Sequence, residues 1–185
     1  MLAAVLGFAF YNRLITLRNA YKNAFSQIDV QLKRRHDLIP NIVETAKGYL
    51  QHERGTLDEV ISARGAAISA TQAAAAAPGE TATMAQLSSA ETNLTGALGR
   101  LLVVAENYPD LKANQVMLQL MEELTTTENR VALARQGYND DVMFYNIAIQ
   151  KAPANLIANW FHFTPAEFFQ AENAADRQTP TVSFS

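Results

Sequence analysis

Apolar side chains recur at steps of three and four residues along most of this 185-residue chain. That period is typical of amphipathic α-helices, and abundant alanine with few β-branched runs favours the same structure. Four segments carry the period, at about residues 12–36, 38–75, 82–107 and 112–151. The sequence therefore predicts an all-α fold, an antiparallel four-helix bundle of long helices joined by short connections.

Proline marks the predicted helix boundaries. Within residues 37–41, DLIPN, Pro40 lacks a backbone donor and disfavours helical torsions at the residue before it. Asp37 is suited to cap a following helix, and so is Asn41 with Glu44 in a capping-box spacing. We therefore expect a break here, and leave open whether the chain reverses or only kinks. Later helices are expected to end at Pro78-Gly79, Pro109 and Pro153.

The first eleven residues, MLAAVLGFAFY, are apolar. As a helix they would reach roughly 16 Å, about half of a bilayer core. They lack the basic start and small-residue cleavage site of a signal peptide. Arg13 and Arg18 follow, as basic residues do on the cytoplasmic side of a transmembrane helix. The segment is either part of a membrane anchor continuous with the first bundle helix, which we favour, or the apolar start of a buried helix.

The charge is unevenly distributed. The net charge of −3 argues against a general nucleic-acid binder, although residues 1–35 hold six Lys or Arg against one acid, a local balance of +5. Lys33, Arg34 and Arg35 form a basic run. We favour a role in stabilising the carbonyl end of the first helix. The alternative is that they bind an acidic partner surface.

Reactive groups are sparse. The absence of cysteine excludes disulfides, thiolate metal sites and a cysteine nucleophile. His36, His52 and His162 are scattered, and each is expected at the surface or at a helix cap. No phosphate-binding loop, dinucleotide glycine motif or zinc-protease motif occurs. We predict a protein that is not an enzyme and has no cofactor, metal site or small-molecule substrate.

Charged and amide residues lie on helix faces that should be buried. They are Glu53, Arg64, Glu91, Glu128, Arg135, Asn139 and Asn146. Isolated buried charges cost several kcal/mol, so these groups should pair across helices and with the hydroxyls of Tyr138 or Tyr145. We favour a polar network that fixes the register of the helices. The alternative is a site for a small polar ligand or an ion relay.

Aromatic residues cluster after the last long helix, at Trp160, Phe161, Phe163, Phe168 and Phe169. The segment 154–170 either folds back and closes the bundle or, beside the anchor, reaches lipid headgroups, where aromatic rings are favoured. The candidate membrane-interface residues are Phe8, Phe10, Tyr11, Arg13, Arg18, Trp160 and Phe161. The domain division is then an apolar segment at 1–11, a helical bundle at 12–170 and a flexible tail at 171–185.

Several stretches resemble the LemA family. They are YNRLITLRN at 11–19, QIDVQLKRRHDLIPNIVETAKGYLQHE at 27–53, AENYPDLKAN at 105–114, TENRVALARQGYND at 127–140 and YNIAIQKAPANLIA at 145–158. The resemblance spans nearly the whole chain. It implies a bacterial single-pass protein of the inner membrane with its N-terminus outside and its bundle in the cytoplasm. It also implies no established enzymatic activity and brings no catalytic residues. This chain departs from the family in its shorter apolar start.

The function expected from the sequence is that of a membrane-anchored scaffold in the bacterial cell envelope. The partners expected are the lipid bilayer through the N-terminus, further copies of the chain and other envelope proteins. A bundle that binds a small polar ligand or relays ions through its charged stripe is the alternative.

Overall fold

A computed structural model describes residues 2–170, with side chains from residue 6 onward. The described part is all-helical, with no strand. It contains six helices: α1 (Leu2–Lys47), α2 (Arg54–Ala76), α3 (Thr81–Ala105), α4 (Pro109–Lys112), α5 (Gln115–Gln150) and α6 (Ala154–Trp160). The predicted tail at 171–185 lies outside the described residues.

The longest element is α1, with 46 residues, or about 69 Å at the usual helical rise. The apolar residues 2–11 belong to this same helix. Between residues 2 and 170 we find no helix with an apolar stretch long enough to cross a bilayer. The spanning anchor expected from the N-terminal segment therefore stays a prediction.

The predicted helix break at Asp37–Asn41 is wrong. Helix α1 continues through Pro40 as far as Lys47, so the expected helices 12–36 and 38–75 do not occur, and neither Asp37 nor Asn41 caps a new helix. The chain turns instead at residues 48–53, and α2 begins at Arg54. Proline is tolerated because its ring is exposed and because another residue supplies the hydrogen bond that Pro40 cannot donate, as described below.

The long helices contact one another in pairs. Helix α1 packs along α5 in the opposite direction, since Tyr21 contacts Tyr145 while Arg35 contacts Glu128. Helix α2 packs against both α1 and α3. An ion pair between Arg100 and Glu59 links α2 to α3 on the surface.

The core lies along these helix pairs. Phe25, Tyr138 and Tyr145 are among the largest fully buried side chains. The rings of Phe25 and Tyr138 meet edge to face, with centroids 5.7 Å apart, an arrangement that adds to the free energy gained from burial. On α5, the Asn114 side chain caps the helix by accepting a hydrogen bond of 3.0 Å from the Met117 backbone nitrogen.

The chain after α6 has no helical period, and residues 163–170 form neither helix nor strand. We call residues 163–170 the strap. Ala166 and Phe169 of the strap are buried against the helices, and the Glu167 nitrogen donates to the Gly79 carbonyl in the turn between α2 and α3 (2.8 Å). The strap is therefore part of the packed structure.

Candidate functional site

Arg35 is the centre of a buried polar network. It lies on α1, three helical turns before the end of that helix, and is only 5% exposed. Its Nη1 donates to Glu91 Oε2 on α3 (2.6 Å), and its Nη2 donates to Thr95 Oγ1 (2.8 Å) and to Glu128 Oε1 on α5 (3.2 Å). One guanidinium thus ties three helices together. Charge-assisted hydrogen bonds of this kind are the strong ones in proteins.

The burial of Arg35 corrects the interpretation of the basic run. Lys33 and Arg34 are exposed, but Arg35 points into the interior, so it is not available as part of a partner-binding surface. The run also lies in mid-helix, because α1 continues to Lys47. Arg35 therefore cannot stabilise the carbonyl groups at the end of the first helix, which lies at Lys47.

His36 is the second member of the network on α1. It is 3% exposed, and its Nε2 lies 2.7 Å from Glu91 Oε1. Both oxygens of Glu91 are therefore engaged, one by Arg35 and one by His36. The expectation that His36 lies at the surface or at a helix cap is therefore wrong. His52 and His162 are exposed.

Arg64 on α2 completes the hydrogen bonding of α1 at the proline. In an α-helix the carbonyl of residue 36 accepts from the N–H of residue 40, and Pro40 has no N–H. Arg64 Nε donates to this His36 carbonyl instead, at 2.6 Å. The cross-helix bond satisfies a buried acceptor that would otherwise be costly, and it explains why α1 continues through Pro40.

Two asparagines of α5 hold the strap by its backbone. Asn146 donates from Nδ2 to the Ala166 carbonyl and accepts at Oδ1 from the Ala166 nitrogen, both at 2.9 Å. Asn139 makes the same pair with Phe169, at 3.2 and 2.9 Å. Each side-chain amide therefore bonds a strap residue as a neighbouring strand would.

The two tyrosines beside these asparagines bind the same segment. The Tyr138 hydroxyl donates to the Glu167 carbonyl (2.7 Å), and the Tyr145 hydroxyl donates to the Thr164 carbonyl (2.9 Å). Burial raises the pKa of Tyr145 to about 12, and the nearby Tyr21 adds to the shift. Burial likewise raises the pKa of Tyr138. Both phenols are therefore kept neutral, in the form that can donate.

A cleft lies where the strap meets the Arg35 network. Its volume is about 190 Å³, and its lining includes Arg35, Glu91, Glu128, Arg135 and Phe169. The strap and α5 form one wall and α3 forms the other. Three residues of the predicted charged stripe, Glu91, Glu128 and Arg135, thus share one site.

The other residues of that stripe lie elsewhere. Arg64 donates a hydrogen bond to the His36 carbonyl, and Asn139 and Asn146 form hydrogen bonds with the strap. Glu53 precedes α2 and makes no side-chain cap there. Within residues 2–170 we find no group of three or more His, Asp or Glu side chains placed to hold a metal ion.

The predicted membrane-interface residues collect at one end of the molecule. The Tyr11 ring packs against Phe161, with centroids 4.7 Å apart, and the Arg18 guanidinium lies 5.1 Å from the centre of the Phe163 ring. Phe8 and Trp160 remain largely exposed, at 70% and 77%. The start of α1 and the end of α6 are therefore neighbours, as expected if the aromatic segment lies beside the N-terminal helix.

The folding back of segment 154–170 was one of the two alternatives expected from the sequence, and the burial of Ala166 and Phe169 agrees with it. Sequence reasoning missed the network roles of Arg35, His36 and Thr95 and the hydrogen bonds that hold the strap. A signal for the strap was present, since the pair Tyr-Asn occurs at 138–139 and again at 145–146. A spacing of seven residues places both pairs on one face of a helix. Asparagine repeated on a buried face needs hydrogen-bond partners, and the backbone of the strap supplies them.

Comparisons with known proteins agree with the resemblance seen in the sequence. The family model of the LemA family matches residues 24–184. Magnetosome protein MamQ 2 of Paramagnetospirillum magneticum is 27% identical over 94% of this chain and 68% of its own length. Magnetosome protein MamQ of Magnetospirillum gryphiswaldense is 24% identical over the same shares. Protein LemA of Metamycoplasma hominis is 28% identical over 86% of this chain and 68% of its own. Because the family model covers most of its length, this chain belongs to the LemA family.

Proposed function

We propose that this protein is a non-enzymatic, membrane-associated scaffold of the bacterial cell envelope. In this proposal the long helices form an antiparallel bundle, and the bundle meets the lipid bilayer at the end where α1 begins and α6 ends. The relatives named above, two of which are magnetosome proteins of bacteria, support an envelope role. The observation that carries the proposal is the set of exposed apolar side chains at this one end.

These side chains are numerous and large. Exposed by half or more are Phe8, Phe144, Ile147, Leu156, Trp160 and Phe161. A concentration of exposed apolar side chains at one end of a protein commonly marks a protein or membrane interaction site. Tryptophan and phenylalanine at the rim of a helical protein are suited to the headgroup layer of a bilayer.

Basic residues flank the apolar surface. A groove of about 340 Å³ between the start of α1 and the end of α5 is lined by Phe10 and Phe144 and flanked by Arg13 and Lys151. Arg18 lies one turn further along α1. Positive charge next to apolar side chains favours anionic lipid surfaces, where each Lys or Arg contributes about 1 kcal/mol to binding.

Binding to vesicles tests this proposal directly. Trp160 is the only tryptophan of the chain, so its fluorescence reports on that end of the molecule without a label. We expect a blue shift on vesicles of phosphatidylcholine with phosphatidylglycerol, a weaker one on phosphatidylcholine alone, and quenching by brominated acyl chains.

Paired variants locate the contact. The double variant Leu156→Ser, Phe161→Ser keeps the fluorescent reporter and should bind at least tenfold more weakly. The matched control, Leu102→Ser, Val103→Ser, removes exposed apolar side chains near the C-terminal end of α3 and should bind as the wild type does. Equal loss in both variants, or no binding by the wild type, would count against the proposal.

Self-association is a further part of the proposal. Leu118 and Leu133 on α5 are 54% and 69% exposed, and at 100° per residue they lie about 60° apart around that helix. A second copy of the chain is the occupant we propose for this face. Mass measurement in solution tests it: a Leu133→Glu variant should shift an oligomer to monomer, and a wild-type monomer would refute it.

A further inference from the structure

The helices hold the strap through its backbone atoms. Asn146 donates to and accepts from Ala166 at 2.9 Å, and Asn139 does the same with Phe169 at 3.2 and 2.9 Å. The residues that bond the strap backbone form what we call the strap groove: Gly79, Ser88, Tyr138, Asn139, Tyr145 and Asn146. Because every copy of the chain has the same backbone groups, these bonds do not depend on which copy supplies the strap.

Two side chains add to this recognition of the backbone. Of residues 163–170, Ala166 and Phe169 alone are buried, at 6% and 4% exposure. Ala166 fits closely against Gly79, where a Cβ added to the glycine would lie 3.0 Å from the Ala166 Cβ. A segment with so few buried apolar side chains opens at a lower free energy than core helices do. We therefore expect the strap to leave its groove while the long helices stay folded.

The hinge between α6 and the strap is short. The Phe163 nitrogen donates to the Ala158 carbonyl (2.9 Å), a bond typical of helix C-terminal capping, so Phe163 stays with α6. Thr164 and Pro165 follow and are exposed, and Ala166 is already bonded to α5. Proline has a fixed φ and restricts the residue before it. Short hinge loops with little conformational freedom favour the exchange of the following segment between two copies of a chain.

We propose that two copies of this chain exchange straps, so that residues 166–170 of one copy occupy the strap groove of the other. An exchanged pair makes the same strap contacts as two closed molecules, and such domain swapping is a low-cost route to a dimer. Concentration then decides the outcome. A short connection keeps the strap at an effective concentration on the order of millimolar beside its own groove. Closed molecules therefore predominate in dilute solution, and exchanged pairs form at protein concentrations on the order of a millimolar.

Cross-linking between copies tests the exchange. The chain has no cysteine, so a short bifunctional maleimide reacts with introduced thiols alone. Thr81 Oγ1 donates to Glu167 Oε2 at 3.4 Å, so a Thr81→Cys copy and a Glu167→Cys copy bring their thiols together when the first receives the strap of the second. In an equal mixture of the two at a concentration on the order of a millimolar, we expect cross-links between unlike copies to exceed those between like copies by about tenfold or more. Mass spectrometry separates the products, and dilution before the reagent is added should remove the excess.

The control mixture uses another pair of neighbouring side chains. Glu59 and Arg100 form an exposed ion pair between α2 and α3, and neither lies in the strap or its groove. A mixture of Glu59→Cys and Arg100→Cys copies should show no excess of unlike over like products beyond the twofold of random collision. The same excess in both mixtures, or none with Thr81→Cys and Glu167→Cys, would overturn the proposal.

Substitutions in the groove locate the contact. Adding Asn139→Ala and Asn146→Ala to the Thr81→Cys copy removes four hydrogen bonds to the incoming strap, and the unlike product should fall at least fivefold. Asn129→Ala, exposed on the same helix, should leave that product unchanged. Loss of product in both variants, or in neither, would exclude the groove. Should circular dichroism show that the double substitution unfolds the helices, the comparison with the control mixture still decides.

One further variant separates strap exchange from the self-association proposed above. That association uses the exposed face at Leu118 and Leu133, which takes no part in the strap groove. Leu133→Glu in both copies should therefore leave the cross-link between unlike copies within about twofold of its original yield, even where it abolishes the other association. A cross-link that disappears with Leu133→Glu would come from contact between the α5 faces and would refute exchange.

Discussion

Arg64 Nε donates a hydrogen bond to the carbonyl oxygen of His36, the carbonyl that Pro40 leaves without its helical partner. The donor comes from another helix, 28 residues away along the chain. The relation explains why a proline within a 46-residue helix does not end it. It also ties α2 to α1 at a fixed register.

The first prediction follows from this hydrogen bond. Arg64→Met keeps most of the apolar stem but leaves the His36 carbonyl unpaired, so we expect a loss of about 1–3 kcal/mol in the free energy of unfolding. In a Pro40→Ala background the alanine N–H can reach the same carbonyl, and the loss should shrink to less than half. Denaturant unfolding of the four proteins of this double-mutant cycle measures it.

The control for this cycle is Arg54→Met, the same change at an exposed position on the same helix. It should alter the free energy of unfolding by no more than about 0.5 kcal/mol in either background. If Arg64→Met were equally destabilising with and without Pro40, the loss of stability would not come from the hydrogen bond to the His36 carbonyl.

Arg35 gives the second prediction. Arg35→Met leaves the Glu91 side chain buried with only His36 beside it, and should destabilise by about 3–5 kcal/mol. Arg34→Met changes the exposed neighbour and should stay within about 0.5 kcal/mol of the wild type. Chemical unfolding followed by circular dichroism measures both, and similar values for the two variants would show that the network contributes little.

The contrast between Arg34 and Arg35 shows what the sequence could and could not predict. Apolar periodicity placed α3 and α5 within about one turn of their observed ends, because burial of one helix face leaves a repeating pattern. It also placed Glu91 on an inward face, where it is buried, whereas the Glu128 side chain, expected on a buried face, is 45% exposed. It could not identify Arg35 as their shared partner. Lys33, Arg34 and Arg35 are adjacent and all basic, so the sequence does not show which of the three side chains faces inward.

The continuation of α1 through Pro40 and the hydrogen bonds that hold the strap were missed for a different reason. The rule that proline ends a helix is local, whereas the donor from Arg64 comes from tertiary packing. The strap has no helical period, and side chains of α5 hold it through its backbone atoms, which leave no pattern in the strap's own sequence. Its partners could be seen only as unexplained polar residues at 139 and 146.

The third prediction concerns the strap. Asn146→Ala removes both hydrogen bonds to Ala166, and we expect exchange of the Ala166 amide hydrogen to speed up more than tenfold, which is equivalent to about 1.4 kcal/mol or more of lost protection. The amide of Phe169, held by Asn139, should change less. Asn129→Ala, at an exposed position of the same helix, should leave both amides unchanged in a hydrogen-exchange experiment. Uniform acceleration at both amides would instead indicate that the strap opens as one unit.

The fourth prediction is a loss of stability in alkali. The ordinary pKa of a tyrosine is 10.0, and burial raises that of Tyr145 to about 12 in the folded protein. Between these values the unfolded chain releases the proton while the folded chain keeps it. The free energy of unfolding should therefore fall as the pH rises from 10 to about 12.

Tyr145→Phe isolates this contribution. The variant should be somewhat less stable at pH 8, because the hydrogen bond to the Thr164 carbonyl is lost. Its free energy of unfolding should then decline less steeply than that of the wild type above pH 10. Parallel curves for the two proteins in urea unfolding series would show that this phenol does not ionise on unfolding.

Gly79 gives the last prediction, since the strap and the turn before α3 meet at this residue. Its φ of +85° is unfavourable for other residues, and an added Cβ would lie 3.0 Å from Ala166 Cβ and 3.1 Å from Tyr21 Cε2. Gly79→Ala should therefore destabilise by more than about 1 kcal/mol. Gly99→Ala, inside α3 with nothing within 4 Å of an added Cβ, should stabilise by up to about 1 kcal/mol. The same substitution thus has opposite signs at two sites, and thermal unfolding of both variants measures the difference. A neutral or stabilising Gly79→Ala would mean that the strap does not close against this turn.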